Sequence, residues 1–272
     1  MELRARLAAC SRCTAWAVLA LAVACPAGAQ SRLPAAAPPA CNAPAELARF
    51  ARPMPRLAER LAHRQAVTIV AIGSSSTSGA GASSSSASYP SRLEVMLRAK
   101  FPDVRVTVLN RGINGEEVAD MLTRLDRGVI AEKPDLVLWQ LGTNSVLRDH
   151  DLASNALLVA EGLRRLKATG ADIVLIDPQF APKVIARAGA EAMVRMISAA
   201  AKEGNVALFH RFAAMRYWRE VRSMPFETFL ATDQLHMNDW GYNCVAQLLA
   251  DAIEGAATRV PQTASAPGIR GQ

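Results

Sequence analysis

The sequence has few aromatic residues and few histidines, and only two cysteines follow residue 29. Aromatic residues make up 5% of the 272 residues, and there are four histidines. Metal sites typically have His-Glu-x-x-His or two Cys-x-x-Cys motifs, and neither arrangement occurs in the sequence. We therefore expect neither a metal nor a cofactor.

The sequence also has no cluster of basic residues with interleaved aromatics, although the formal net charge is +7. Nucleic-acid-binding domains carry such clusters, so we expect no nucleic-acid partner. The apolar run at residues 14–25, "TAWAVLALAVAC", is too short to span a membrane, so we expect no stable insertion. The chain is 51% apolar and long enough for one domain of about 200 residues, which we expect to be monomeric.

The first 29 residues have the features of a signal peptide. Three arginines precede the apolar run, and Ala27 and Ala29 supply an Ala-x-Ala cleavage site before Gln30. This pattern predicts an exported protein, periplasmic or secreted; a retained anchor and a lipoprotein ending at Cys25 are the alternatives. Residues 30–42 are predicted to be a linker, residues 43–258 the folded domain, and residues 259–272 a disordered tail.

Two cysteines, Cys41 and Cys244, remain after the predicted signal peptide. In an exported protein they can form a disulfide, which would tie the N-terminal segment to the last helix. Alternatively, Cys244 is a free thiol on the apolar face of that helix. The sequence leaves both possibilities open.

Apolar strands alternate with amphipathic helices along the domain. Strands that are apolar throughout and separated by helices indicate a parallel sheet covered on both faces. We expect a three-layer α/β/α sandwich of about five parallel strands. The predicted strands are 66–73, 104–110, 135–142, 172–178 and 206–209, and the predicted helices are 43–64 (broken by Pro53 and Pro55), 89–101, 116–131, 152–169, 188–203 and 239–256.

Polar clusters follow the strands, at the edge of the sheet where sites of such folds lie. They are "GSSST" (73–77), "NRGING" (110–115), "GTNS" (142–145) and, after the last strand, "DQLHMN" (233–238). Together they provide the groups for acyl transfer through a serine. His236 can accept the proton of a serine hydroxyl, and Asp233 can orient the imidazole. The side chain of Asn144 and the backbone N–H groups of Gly115 and Ser75 can stabilise an oxyanion.

These four clusters resemble the sequence blocks of the SGNH hydrolases, also called GDSL esterases or lipases, over residues 68–253. The resemblance implies a flavodoxin-like fold and makes Ser75, two residues after Gly73, the nucleophile. It gives Asp233 and His236 as the other members of the catalytic triad and Gly115 and Asn144 as oxyanion-hole residues. It differs at three positions, where Ser74, Ser145 and Met237 replace Asp, Asp and Pro.

Each of these residues also has a purely structural interpretation. The serine-rich tract could be a linker, and we expect its second half, residues 79–88, to be a flexible loop beside the active site. A phosphate-binding loop is a weaker alternative, because neither Gly-Lys-Ser/Thr nor Gly-x-Gly-x-x-Gly follows the strand. Asn110, Gly112 and Asn114 are interpreted as structural. An aromatic-rich stretch could line an acyl or sugar pocket or pack in the core: Tyr217, Trp218, Met224, Phe226 and Phe229.

The combined prediction is an exported serine esterase acting on a small-molecule or polysaccharide ester. The substrate would be an O-acetyl or other short acyl ester on envelope or extracellular polysaccharide. A thioesterase, lipase, arylesterase or acyltransferase of the same fold is the alternative within the class. A non-catalytic carbohydrate-binding module is the alternative outside it, because Ser74 and Ser145 replace two carboxylates.

Overall fold

Parallel strands form the centre of the computed structural model, which describes residues 39–259. Within that range there are five, and their bounds are β1 (Val67–Gly73), β2 (Val106–Gly112), β3 (Leu136–Gln140), β4 (Asp172–Ile176) and β5 (Ala207–Phe209). They form one sheet in the order β2-β1-β3-β4-β5, with every pair parallel. Helices cover both faces and bury the apolar strands, as in a flavodoxin-like sandwich. The predicted three-layer fold is confirmed.

The helices of the described range include several short ones at the ends of strands that the sequence did not predict. Short helices start where a strand ends in small or polar residues, as after β1 and β3. The α-helices are α1 (Pro55–Ala62), α2 (Ser75–Ser78), α3 (Tyr89–Lys100), α4 (Val118–Thr123), α5 (Leu125–Gly128), α6 (Thr143–Leu147), α7 (Leu152–Lys167), α8 (Pro182–Ile185), α9 (Ala190–Glu203), α10 (Arg211–Arg216) and α11 (Asp239–Ala257). A π-helical turn follows α10 at Tyr217–Val221.

Two predicted helices differ from the structure. The helix expected over residues 43–64 begins only at Pro55, because a proline favours the first turn of a helix and has no N–H to continue one. The helix expected over residues 116–131 is divided at Arg124 into α4, α5 and a 3₁₀ turn. The backbone of Arg124 departs from helical geometry at the end of α4. Its guanidinium donates hydrogen bonds to the Glu116 carboxylate and to the Arg111 carbonyl.

Two carboxylates, one on the buried Asp135 and one on the half-buried Asp172, fasten α1 to the amino ends of the strands. Asp135, before β3, accepts hydrogen bonds from the N–H of Thr68 and from the guanidinium of Arg56, and it forms an ion pair with Arg60. Asp172 accepts from the backbone N–H of Leu57 at 2.8 Å. Burial raises the pKa of Asp172 to about 6, opposed by hydrogen bonds from the backbone N–H groups of Leu57 and Arg56. This end of the sheet is thus held by polar contacts, whereas the candidate site lies at the opposite end.

The first described residues are joined to the body of the domain by a disulfide between Cys41 and Cys244. The sequence left this pairing open. Side-chain donors also bind the carbonyls of three neighbouring residues: Trp240 to Pro39, Arg222 to Ala40 and Trp218 to Asn42. Residues 39–42, the end of the predicted linker, therefore lie against the folded domain.

The predicted signal peptide, most of the predicted linker and nearly all of the predicted tail lie outside the described residues. These parts of the domain organisation stay predictions. Between residues 39 and 259, none of the helices has the length and apolar character needed to cross a membrane.

Candidate active site

Ser75 is the first residue of α2, directly after the turn that ends β1. The adjacent Ser74 is 2% exposed, and both its N–H and its hydroxyl donate to Oε1 of Gln140, at 2.9 and 3.1 Å. The hydroxyl of Thr77 donates to the same oxygen. The serine that replaces the family's aspartate is therefore hydrogen-bonded, to a glutamine of the neighbouring strand β3. Gln140 was not identified from the sequence, although a lone polar residue in a fully buried strand was a usable signal.

The end of β2 supports the same turn. Asn110 donates from Nδ2 to the Thr77 carbonyl at 2.8 Å and accepts from the N–H of Gly112. A Cβ at Gly112 would lie 2.1 Å from the backbone nitrogen of Ser78, so this position requires glycine. Asn114 accepts a hydrogen bond from the Ser78 hydroxyl at 2.7 Å. These contacts agree with the interpretation of Asn110, Gly112 and Asn114 as structural residues.

Asp233 and His236 lie on a tight loop between β5 and α11. The Oδ1 atom of Asp233 accepts from the backbone N–H groups of Leu235 and His236, at 3.0 and 2.9 Å. Short polar side chains favour turns through such contacts. An isolated antiparallel bridge between Leu230 and Met237 closes the loop. Met237 itself is fully buried, so the residue that replaces the family's proline serves as a core side chain.

Asp233, His236 and Ser75 form a continuous hydrogen-bonded series. Nδ1 of His236 lies 2.5 Å from Oδ2 of Asp233, and Nε2 lies 2.8 Å from the Ser75 hydroxyl oxygen. Desolvation acts to raise the pKa of Asp233, but hydrogen bonds from the His236 side chain and from the loop backbone outweigh it and lower that pKa. The geometry allows proton transfer from the serine hydroxyl to the imidazole.

Gly115 and Asn144 follow β2 and β3, the two strands that adjoin β1. They therefore lie at the same edge of the sheet as Ser75. Nδ2 of Asn144 donates to the Glu116 carbonyl at 2.8 Å, which uses one of its two hydrogens and leaves the other for a ligand. The Gly115 carbonyl accepts from Arg148 at 3.0 Å. The turn after β2 and the turn after β3 are thus hydrogen-bonded to each other.

Glu117 stabilises the turn that carries Asn144, and the sequence did not identify it. Its carboxylate accepts from the hydroxyl of Ser145 at 3.2 Å, from Nδ1 of His150 at 2.6 Å and from the guanidinium of Arg148. The same hydroxyl lies 2.8 Å from Oδ1 of Asn155, so its single hydrogen is shared between two acceptors. The second serine that replaces a family aspartate is therefore also well bonded.

The segment at residues 79–88, expected to be a flexible loop, contains a 3₁₀ turn at Ser85–Ala87 and is anchored to α11. Both the N–H and the hydroxyl of Ser83 donate to Asp239, and the hydroxyl of Tyr242 donates to the Ala80 carbonyl. At Gly81 a Cβ would lie 2.9 Å from Cβ of His236, with a backbone φ of +87°. The segment therefore packs directly against His236. These contacts correct the prediction that it is a flexible loop.

The aromatic-rich stretch packs mainly in the core. Trp218 and Phe229 are fully buried in edge-to-face contact, and Trp218 also meets Trp240. Met224 is buried, while Phe226 and Tyr217 are partly buried against the same core. Of the two interpretations offered by the sequence, core packing fits these residues. Among residues 39–259, no three His, Cys, Asp or Glu side chains are grouped as a metal site requires.

The fold is a parallel β-sheet covered by helices, and a serine, a histidine and an aspartate are hydrogen-bonded in series beyond the ends of its strands. This is the arrangement of a serine hydrolase. The chain belongs to the Non-GDSL lipase-like family, which matches residues 40–259. That description agrees with the first block, "GSSST", which lacks the aspartate of Gly-Asp-Ser. Membership of a lipase-like family supports the predicted likeness to SGNH hydrolases and the prediction of an ester-hydrolysing enzyme.

Similar proteins include esterases of acetylated polysaccharides. An acetylxylan esterase of Geobacillus stearothermophilus is 42% identical over 57 residues, which is 21% of this chain and 26% of that protein. A variant of an acetyl-xylooligosaccharide esterase from the same genus superimposes with a TM-score of 0.59 and 24% identity, over 69% of this chain and 94% of the other. A two-domain esterase active on acetylated mannans gives a TM-score of 0.66 and 20% identity, over 81% and 58%. The two structural likenesses establish the fold.

Proposed function

We propose that this protein is an exported serine esterase that removes O-acetyl or other short acyl groups from polysaccharide. The observation that carries the proposal is the hydrogen-bonded series of Ser75, His236 and Asp233. A serine hydroxyl is a weak nucleophile unless a base accepts its proton, and Nε2 of His236 is within hydrogen-bond distance to do so.

The reaction would proceed through an acyl-enzyme. Ser75 Oγ attacks the ester carbonyl carbon while its proton passes to His236, and the carbonyl oxygen becomes an oxyanion. The free N–H of Asn144 and the backbone N–H groups of Gly115 and Ser75 would donate to that oxygen. Collapse breaks the bond between the former carbonyl carbon and the sugar oxygen, which takes the proton from His236 and leaves as a hydroxyl. Water then attacks the acyl-enzyme with His236 as base, and the carboxylic acid leaves as Ser75 regains its proton.

The substrate class rests on the similar proteins, which act on acetylated xylan, xylooligosaccharide or mannan according to their descriptions. Export is supported by the predicted signal peptide and by the disulfide between Cys41 and Cys244, because such bonds persist in oxidising compartments. The protein would then meet its substrate in the envelope or outside the cell.

The esterase proposal is tested by hydrolysis of p-nitrophenyl acetate, butyrate and octanoate and by acetate release from acetylated xylan and mannan. We expect activity with short acyl groups and its loss in Ser75→Ala. Ser84→Ala is the matched control, because Ser84 belongs to the same serine tract, is exposed, and its hydroxyl bonds to the exposed Ser86 hydroxyl and to no catalytic residue of the described range. Unchanged hydrolysis in Ser75→Ala would refute the proposed nucleophile, and preference for octanoate would favour a lipase.

Export is tested separately. The protein recovered from the periplasm or medium of an expressing cell should begin at Gln30. Recovery of only the uncleaved chain in the cytoplasm would contradict the export proposal and would leave the esterase proposal unaffected.

A further inference from the structure

Gln179 lies beneath the candidate site and is 1% exposed. It follows β4, and its side-chain amide contacts four separate segments. The oxygen Oε1 accepts hydrogen bonds from the hydroxyl of Thr143 at 2.9 Å, from Arg211 at 3.0 Å and from the hydroxyl of Ser76 at 3.4 Å. The nitrogen Nε2 donates to the Leu235 carbonyl at 3.3 Å.

Three of these partners are next in sequence to a residue of the proposed machinery. Ser76 follows Ser75, and the other two, Thr143 and Leu235, precede Asn144 and His236. One buried amide thus connects the turn of the nucleophile, the turn of the oxyanion donor and the loop of the base. A displacement of any one segment relative to the others would require one of these hydrogen bonds to lengthen.

Arg211 determines which way the amide faces. It is 1% exposed, and its Nε donates to the Asp177 carbonyl at 2.9 Å while Nη2 donates to Gln179. A guanidinium can only donate, so the amide oxygen must face it and the amide nitrogen must face Leu235. Glutamine suits this position because it provides an acceptor and a donor at the end of one side chain.

We propose that Gln179 is a positioning residue that sets the placement of Ser75, Asn144 and His236 relative to one another. The proposal rests on the proposed function, since it deepens the account of the same site. Gln179 acts through its neighbours and does not itself contact substrate. Misplacement of reacting groups by about 1 Å can lower a rate about 100-fold, so the consequence should be catalytic as well as structural.

The test compares Gln179→Met and Gln179→Glu with wild type. Methionine has a similar length and removes both the acceptor and the donor. Glutamate keeps the acceptor and the pairing with Arg211 but turns an oxygen toward the Leu235 carbonyl. We measure kcat and KM on p-nitrophenyl acetate, together with the rate at which a fluorophosphonate labels Ser75. The labelling rate reports the reactivity of the serine regardless of the natural substrate.

Asp135→Asn is the matched control, because Asp135 is an equally buried polar residue with several partners at the opposite end of the sheet. We expect it to lower the melting temperature and to leave kcat and labelling unchanged. For Gln179→Met we expect kcat and labelling to fall about 100-fold, with KM changed less than about two-fold. A purely structural role would move only the melting temperature.

Each outcome decides between the proposals. A folded Gln179→Met with kcat and labelling close to wild type overturns the positioning role and leaves the esterase proposal standing. If the methionine variant does not fold, Gln179→Glu is judged by the same comparison. A wild-type protein that neither hydrolyses the ester nor reacts with the fluorophosphonate overturns both proposals.

Discussion

The carboxylate of Asp233 lies 2.5 Å from Nδ1 of His236, yet 43% of the Asp233 side chain is exposed to solvent. The histidine between it and Ser75 is 17% exposed. The orienting acid is thus the most accessible member of the series. Water could partly replace it, both as a hydrogen-bond acceptor for Nδ1 and as a solvent for the imidazolium.

We therefore predict unequal effects of removing the acid and the base. His236→Ala should lower kcat by roughly 10⁴-fold, because no other base lies within reach of Ser75 in the described contacts. Asp233→Ala should lower it by only about 10²-fold, since solvent can enter the vacated space. The measurement is kcat on p-nitrophenyl acetate at pH 8 for both variants. Equal losses would show that the carboxylate is indispensable despite its exposure.

Asn144 offers a second prediction. Replacing it with alanine removes a proposed oxyanion donor, and kcat should fall about 10²–10³-fold with little change in KM. Asn243→Ala is the control, because Asn243 is an asparagine on α11 whose described contact is with Arg92. A rise in KM with unchanged kcat would contradict the role, since it would indicate a contact made equally to substrate and transition state.

The disulfide should contribute strongly to stability. Cys41 and Cys244 are 203 residues apart, and in the chain-entropy model so long a loop gives about 5 kcal/mol as an upper figure. Cys41→Ser, or reduction of the wild type, should lower the melting temperature while kcat at 25 °C changes little. Thermal unfolding with and without dithiothreitol makes the comparison. A melting temperature insensitive to reductant in the wild type would argue against the bond.

Asp177 should make stability depend on pH. Burial raises its pKa from 3.8 to about 7, against the opposing effects of the Phe212 N–H and of Arg211. The folded protein holds this proton more tightly than the unfolded chain. The contribution of the protonated Asp177 to the free energy of unfolding is therefore complete below about pH 4 and is lost as the pH rises through about 7. The loss amounts to up to about 4 kcal/mol.

The measurement is urea unfolding at pH 5 and pH 8 for the wild type and Asp177→Asn. The wild type should lose more stability between these values than the variant, which has no proton to release. Other ionisable groups are common to both proteins and cancel in the difference. Parallel changes in the two would contradict the predicted pKa.

The sequence predicted those features that depend on local pattern. The apolar runs predicted the five strands. Because parallel strands end at one edge of the sheet, the polar clusters around Ser75, Asn144 and His236 were expected to lie close together. The hydrogen-bonded contacts of Gln140 and Gln179 could not be predicted, because they depend on which strands adjoin. The division of the helix at Arg124 follows from a side chain that binds across the fold, which periodicity does not detect.

The pairing of the two cysteines was undecided for the same reason. Their spacing along the chain carries no information on distance in space. The anchoring of the serine-rich segment depends on Asp239 and Tyr242, more than 150 residues away in the sequence. Composition alone therefore suggested mobility where long-range contacts impose order.

The neutral pair of Ser74 and Gln140 has a consequence for acid tolerance. The SGNH hydrolases have an aspartate at the position of Ser74. Here the turn of the nucleophile is held by an amide and a hydroxyl, and neither group gains or loses a proton in the physiological pH range. A change of pH within that range therefore leaves these hydrogen bonds, and the turn that carries Ser75, in place. The placement of the nucleophile thus does not depend on the ionisation of Ser74 or Gln140, whereas an aspartate at position 74 would make it depend on a carboxylate.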